Sequence, residues 1–126
     1  MVDLMYVMRL LTPFIEGMLI GLFAMVLHEC GHLMAAILLD VKIKRVGVEW
    51  RGICTVRDSG TPLQNLLISI AGPLVNALLV LTWTWSESFS LANVCVALVN
   101  VLPLERSDGD RALTCWKELK RKPEAR

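Results

Sequence analysis

Residues 24–39 read AMVLHECGHLMAAILL, apolar throughout except for His28, Glu29 and His32. An ionisable group at the centre of a membrane span costs about 2.5–3.5 kcal/mol on insertion scales, so something must offset these three. Their spacing says what. Helical residues four apart share a face, one turn from each other. His28 and His32 can therefore aim ring nitrogens at one ion, and zinc accepts such nitrogens at about 2.0–2.1 Å. Glu29 sits where it can act on water rather than on the metal. HExxH on one helical turn is the zinc metalloprotease arrangement of two ligands and a general base. A lone buried histidine is more often a hydrogen-bonded core residue, but here the chain's two histidines both fall at this spacing.

Outward from this stretch the chain is greasy. Of its 126 residues 55% are hydrophobic, and the mean hydropathy is +0.55, more than a soluble domain of this size needs. Three apolar runs carry it, about 13–39, 63–85 and 89–104. The first two exceed the ~20 helical residues that cross a bilayer. The third is shorter, and Pro103 should break or kink it. A signal peptide fits the first run poorly, because Asp3 precedes it, Glu16 and Glu29 interrupt it, and no small-x-small cleavage site follows. Nor can three buried core helices be wrapped by so little polar chain. The reading is a single membrane domain over residues 1–126.

Between the first two runs, VKIKRVGVEWRGICTVR alternates apolar with charged residues. It predicts two short strands, about Val41–Trp50 and Ile53–Arg57, turning near Arg51-Gly52, within a strand loop over 41–57. The tail, 105–126, predicts an amphipathic helix from about Asp108 to Arg121, with Leu113, Trp116 and Leu119 as its apolar stripe. The fold class is thus mainly α and membrane-embedded: three transmembrane helices, a β-hairpin between the first and second, and a C-terminal amphipathic helix.

The thirteen basic residues orient it. Arg9 precedes the first span. Five lie in the loop (Lys42, Lys44, Arg45, Arg51, Arg57) and seven in the tail. The positive-inside rule makes loop 40–61 and the C-terminus cytoplasmic and the N-terminus external, in a multi-pass cell-membrane protein. The net charge of +1 gives no sign of a nucleic-acid partner. The four cysteines form no CxxC pair, and three lie in or beside apolar runs, so they read as small buried hydrophobes.

Zinc needs a third protein ligand and an open position. No third histidine exists. Cys30 points to another side of the helix, and Asp40 lies near the cytoplasmic surface. NVLPLERSDGDR, residues 100–111, offers Asp108 and Asp110 beside Gly109, at the end of the third run.

Together these segments resemble the site-2 protease family of intramembrane zinc metalloproteases. HECGH matches the family's HExxH, including the glycine before the second histidine. GPLVN matches its GPxxN at Gly72, Pro73 and Asn76, and NVLPLERSDG its NxxPxxxxDG at Asn100, Pro103, Asp108 and Gly109. The motifs come in family order, one per run, and cover most of the chain. Asp110 stands where another glycine is common, and family members commonly carry extra spans. The resemblance implies one zinc ion held by His28, His32 and Asp108, with Glu29 as catalytic base, and it makes Asn76 and Asn100 candidates to bind substrate or the developing oxyanion. A packing contact between helices is the alternative role of Asn76, and Gly72-Pro73 reads as a kink. The expected activity is zinc-dependent endoproteolysis of single-span membrane proteins within the bilayer. The strand pair either adds unwound substrate as a further strand or simply covers the cytoplasmic face. The alternative is a catalytically silent relative that binds membrane segments without cutting them. A partner subunit or a second copy is left open.

Overall fold

A computed structural model describes residues 4–49, 52–58, 60–82 and 86–121. Helix α1 spans Leu4–Leu38 and so extends nine residues ahead of the apolar run 13–39, with Pro13 inside it. At 1.5 Å per residue, 35 residues reach about 52 Å, well beyond the ~30 Å of hydrocarbon. Proline removes a backbone donor from the ladder. Just before it, the Thr12 hydroxyl donates to the Met8 carbonyl at 2.8 Å.

The end of α1 is a Schellman turn. Asp40 adopts φ 55, the left-handed conformation that Asp tolerates better than most residues. The Val41 N–H then reaches back to the Ala36 carbonyl at 2.9 Å. Val41 also packs against Ala36 and Ile68, the hydrophobic contact that accompanies such a cap.

Strands β1 (Ile43–Glu49) and β2 (Gly52–Arg57) pair antiparallel, with Glu49 opposite Gly52 and an irregularity between Ile43 and Arg45. The predicted turn at Trp50 and Arg51 lies outside the described residues. Lys44 pairs with Asp58 at the base of the hairpin.

Helix α2 covers Pro62–Thr82. Thr61 and Gln64 form a capping box, the Thr61 N–H on the Gln64 Oε1 at 2.8 Å and the Gln64 N–H on the Thr61 hydroxyl at 3.3 Å. The Gln64 amide also donates to the Leu39 carbonyl at 2.9 Å and ties α2 to the end of α1. Helix α3, Glu87–Val101, starts at the cap residue Ser86 and stops two residues short of Pro103, because the residue before proline is pushed out of the helical region. Helix α4, Asp108–Lys120, starts at Ser107.

The second half of this architecture folds back on α2. Asn93 of α3 bonds Asn76 of α2. Val101 of α3 and Asp108, Gly109 and Trp116 of α4 line one cleft with Leu66, Ile70 and Pro73 of α2. So α4 starts level with the middle of α2 and runs beside its first half. Gly109 makes the turn possible, since a Cβ there would strike the Val101 carbonyl.

Burial is inverted relative to a soluble protein. Among the described residues the buried set includes His28, His32, Ser69, Asn76, Asn93 and Asp108, against Ala24, Ala36, Val41, Ile68 and Phe89. Large apolar side chains face outward: Leu4 is 74% exposed, Leu38 78% and Leu81 75%. Such a surface suits hydrocarbon, not water. Helices α1 and α2 are long and apolar enough to cross a membrane; α3 is apolar but shorter. The cysteine expectation needs correction. Cys30 and Cys95 are exposed and Cys115 is partly so, on helices whose outer faces are apolar as well.

Candidate metal centre

Three ligand atoms converge from two distant parts of the chain. The Nε2 atoms of His28 and His32 lie 3.1 Å apart. Asp108 Oδ2 lies 2.9 Å from the first and 3.0 Å from the second. The helical turn of α1 sets the first two, and the cap at Ser107 swings Asp108 into place at the first position of α4. Glu29 is half buried beside them, its carboxylate within 4.8 Å of the histidine ligand atoms.

The remaining ring nitrogens fix the chemistry of this triangle. His32 Nδ1 lies 2.6 Å from the Ile68 carbonyl oxygen. His28 Nδ1 lies 2.6 Å from Asn76 Oδ1. Both partners are acceptors, so both Nδ1 atoms carry the proton. In neutral rings each Nε2 is then a bare lone pair. Two such lone pairs and a carboxylate oxygen pointing at one another repel unless a cation sits among them. The fit to zinc is close: ligands at 2.0–2.1 Å from a tetrahedral ion stand about 3.4 Å apart, against 2.9–3.1 Å here. His28, His32 and Asp108 are the residues that would hold it.

Space is provided by glycine. A Cβ on Gly72 would overlap His32 Nε2 and come within 2.8 Å of His28 Nε2. Gly31 lets α1 and α2 approach, since a Cβ there would come 2.8 Å from the Ala71 carbonyl and from Val75. Gly72→Ala is therefore expected to abolish metal binding, by filling the place of the ion rather than by removing a ligand. Metal analysis of the purified variant checks this; zinc bound with unchanged affinity would refute the assigned position.

The other candidates land differently. Asn76 is fully buried. Its Oδ1 faces His28, and its amide donates to the Ala24 carbonyl at 3.2 Å and to Asn93 Oδ1 at 2.7 Å. Asn100 donates to the Val96 carbonyl at 2.9 Å, and no hydrogen bond among the described residues joins it to the histidines. Asp110 accepts from the Arg106 N–H at 3.3 Å, while its own N–H donates to the Ser107 hydroxyl at 3.1 Å.

Several residues of the site carried no signal that the motifs use. The Ile68 carbonyl is backbone. Asn93 had a faint one, a polar side chain inside an apolar run. Ser69 is buried, and its hydroxyl is the buried side-chain oxygen among the described residues without a hydrogen-bond partner. It lines both the apolar cleft between α2 and α4, of about 400 Å³, which reaches Asp108, and an open pocket of about 260 Å³ lined mostly by polar residues. Arg57 and Arg111 line the latter. Burial, with Arg111 adding like charge, pushes the Arg57 guanidinium below its ordinary value; Asp108 and Glu29 pull the other way.

Comparison with known proteins gives the family. A model of the Peptidase M50B-like family matches residues 4–104. A protein of Synechocystis sp. that carries the provisional name of zinc metalloprotease is 27% identical over 121 residues, covering 81% of this chain and 32% of the relative. Stage IV sporulation protein FB of Bacillus subtilis is 27% identical over 118 residues, covering 82% of this chain and 41% of the relative. The chain thus spans about a third to about two fifths of the length of these relatives. The matched region runs through HECGH, GPLVN and the start of NVLPLERSDG, and the chain belongs to the Peptidase M50B-like proteins of the site-2 protease family.

Proposed function

We propose that the chain is a zinc-dependent endopeptidase that cuts single-span membrane proteins inside the bilayer. The observation that carries this reading is the triangle of two bare imidazole nitrogens and one carboxylate oxygen, with Glu29 beside it, inside helices whose outer surface is apolar. Zinc held there supplies a Lewis acid for the scissile carbonyl and lowers the pKa of water towards 7. Glu29 takes the proton from the attacking water and delivers it to the leaving amine. The His28, His32 and Asp108 side chains are oriented in advance, two of them by hydrogen bonds to acceptors, so little reorganisation accompanies the reaction. The apolar cleft between α2 and α4 offers room for substrate next to Asp108. The two-stranded hairpin has open edges to which unwound substrate can add as a strand.

In this reading α1 and α2 each cross the membrane once. Helix α3, about 22 Å long at 15 residues, completes the third crossing together with the first turns of α4. Ten of the thirteen basic residues then lie on the cytoplasmic side, five in the hairpin loop and five from Lys117 onward, while Arg106 and Arg111 flank the start of α4 within the crossing. In a background with the native cysteines replaced, Ser88→Cys is expected to react with an impermeant reagent on intact cells and Lys120→Cys only after lysis. The opposite pattern would invert the topology.

The test of function is zinc analysis of the detergent-purified chain together with cleavage of a model single-span substrate. One zinc per chain with cleavage is expected. One zinc without cleavage of any such substrate would favour a relative that binds membrane segments but does not cut them. Absence of zinc from folded protein would refute the centre.

A further inference from the structure

We propose that Asn93 is a positioning residue for the metal centre: acting through Asn76, it keeps the His28 ring turned and protonated so that Nε2 faces the ion. The proposal rests on the zinc reading above. Three helices contribute to one line of hydrogen bonds. The Asn93 amide nitrogen on α3 donates to the Phe89 carbonyl at 2.8 Å. A carbonyl only accepts, so this contact turns the nitrogen of Asn93 toward Phe89 and leaves its oxygen facing α2. That oxygen accepts from the Asn76 amide nitrogen at 2.7 Å, and Asn76 Oδ1 in turn accepts from His28 Nδ1 at 2.6 Å. Asn76 and Asn93 are both fully buried, where an amide facing the wrong way is costly.

The orientation of Asn76 depends on what opposes its flip. If its oxygen and nitrogen exchanged places, the oxygen would face the Ala24 carbonyl and Asn93 Oδ1, and the nitrogen would face His28 Nδ1. Of the two oxygens that forbid this, Asn93 is the nearer, at 2.7 Å against 3.2 Å for Ala24. Without Asn93 the weaker contact alone holds Asn76. A flipped Asn76 presents a donor to His28 and favours the tautomer with Nδ1 bare and Nε2 protonated, which cannot ligate through Nε2.

His32 has no such dependence. Its Nδ1 proton is held by the Ile68 carbonyl at 2.6 Å, a backbone group that cannot reverse. The centre is therefore asymmetric: one ligand is set by backbone within α2, and the other requires α3 to be docked. Outer partners of metal-ligating histidines typically contribute about 10–100-fold in metal affinity. Asn93 acts one bond further out, so about tenfold is expected.

With two histidines in the chain, isotope-labelled histidine gives two resolvable rings, and His32 serves as the internal control. In zinc-loaded Asn93→Leu, the His28 ring N–H signal should shift or exchange faster with water while that of His32 stays in place. Zinc affinity by chelator competition should fall about tenfold. Asn93→Asp should restore both, since a carboxyl in either protonation state presents an acceptor to Asn76. Asn93→Ala removes the same acceptor with less bulk, and its result stands where the leucine variant does not fold. A merely structural Asn93 would move both rings together, or neither, with zinc affinity per folded molecule unchanged; either result overturns the relay while leaving the zinc centre intact. Wild-type protein that folds and binds no zinc would overturn both.

Discussion

Glu29→Gln is expected to lower cleavage by about 10²–10⁴-fold, the usual contribution of a positioned general base, while zinc stays at one ion per chain. The separation of the two effects follows from geometry. The three atoms that meet at 2.9–3.1 Å belong to His28, His32 and Asp108. Glu29 follows His28 directly and so projects about 100° away around the helix, close enough to reach water but outside the triangle. Glutamine keeps the shape and a hydrogen-bonding oxygen and loses the basic site. Metal analysis and a cleavage assay on the same preparation read both quantities. A folded Glu29→Gln protein without zinc would make Glu29 a ligand and remove the base from the proposed mechanism.

How much of this was legible in the sequence depends on how far apart the cooperating residues lie. His28, Glu29 and His32 fall within one helical turn, so their relation could be read from spacing alone. The two strands follow from the alternation in 41–57, and the helix from about Asp108 follows from the apolar stripe of Leu113, Trp116 and Leu119. Asp108 was narrowed by residue type and depth to two candidates, and chosen by resemblance. What escaped is what distance or emptiness encodes. Asn93 works through Asn76 and His28, which are 17 and 65 positions earlier, and no periodicity links them. Gly72 read as a kink because its contribution is the absence of a Cβ. The apolar run 13–39 does not give the start of α1, which lies nine residues earlier, because Pro13 removes one backbone donor without ending the helix. The cysteines read as buried because apolar sequence marks the interior of soluble proteins. Here the outer surface is apolar too, so composition could not tell the faces apart.

Asp108 and Asp110 separate sharply as partners of the metal. They stand two positions apart at the start of α4, about 200° around the helix. Asp108 Oδ2 faces both Nε2 atoms, whereas Asp110 turns back to the Arg106 N–H and closes a cap with Ser107. Asp108→Asn is expected to lower zinc affinity by more than the roughly 10–100-fold that outer-shell changes cause, and to abolish hydrolysis, because a neutral amide is a poor zinc ligand. Asp110→Asn keeps an acceptor at the cap and should alter helix stability by no more than about 1 kcal/mol, with zinc and activity unchanged. Thermal melting supplies a second readout: zinc-loaded wild type should melt above its metal-free form, since an ion that binds only the folded state stabilises it, and Asp108→Asn should gain little from added zinc. Loss of zinc on Asp110→Asn with retention on Asp108→Asn would reassign the third ligand, and with it the register of α4 against the two histidines.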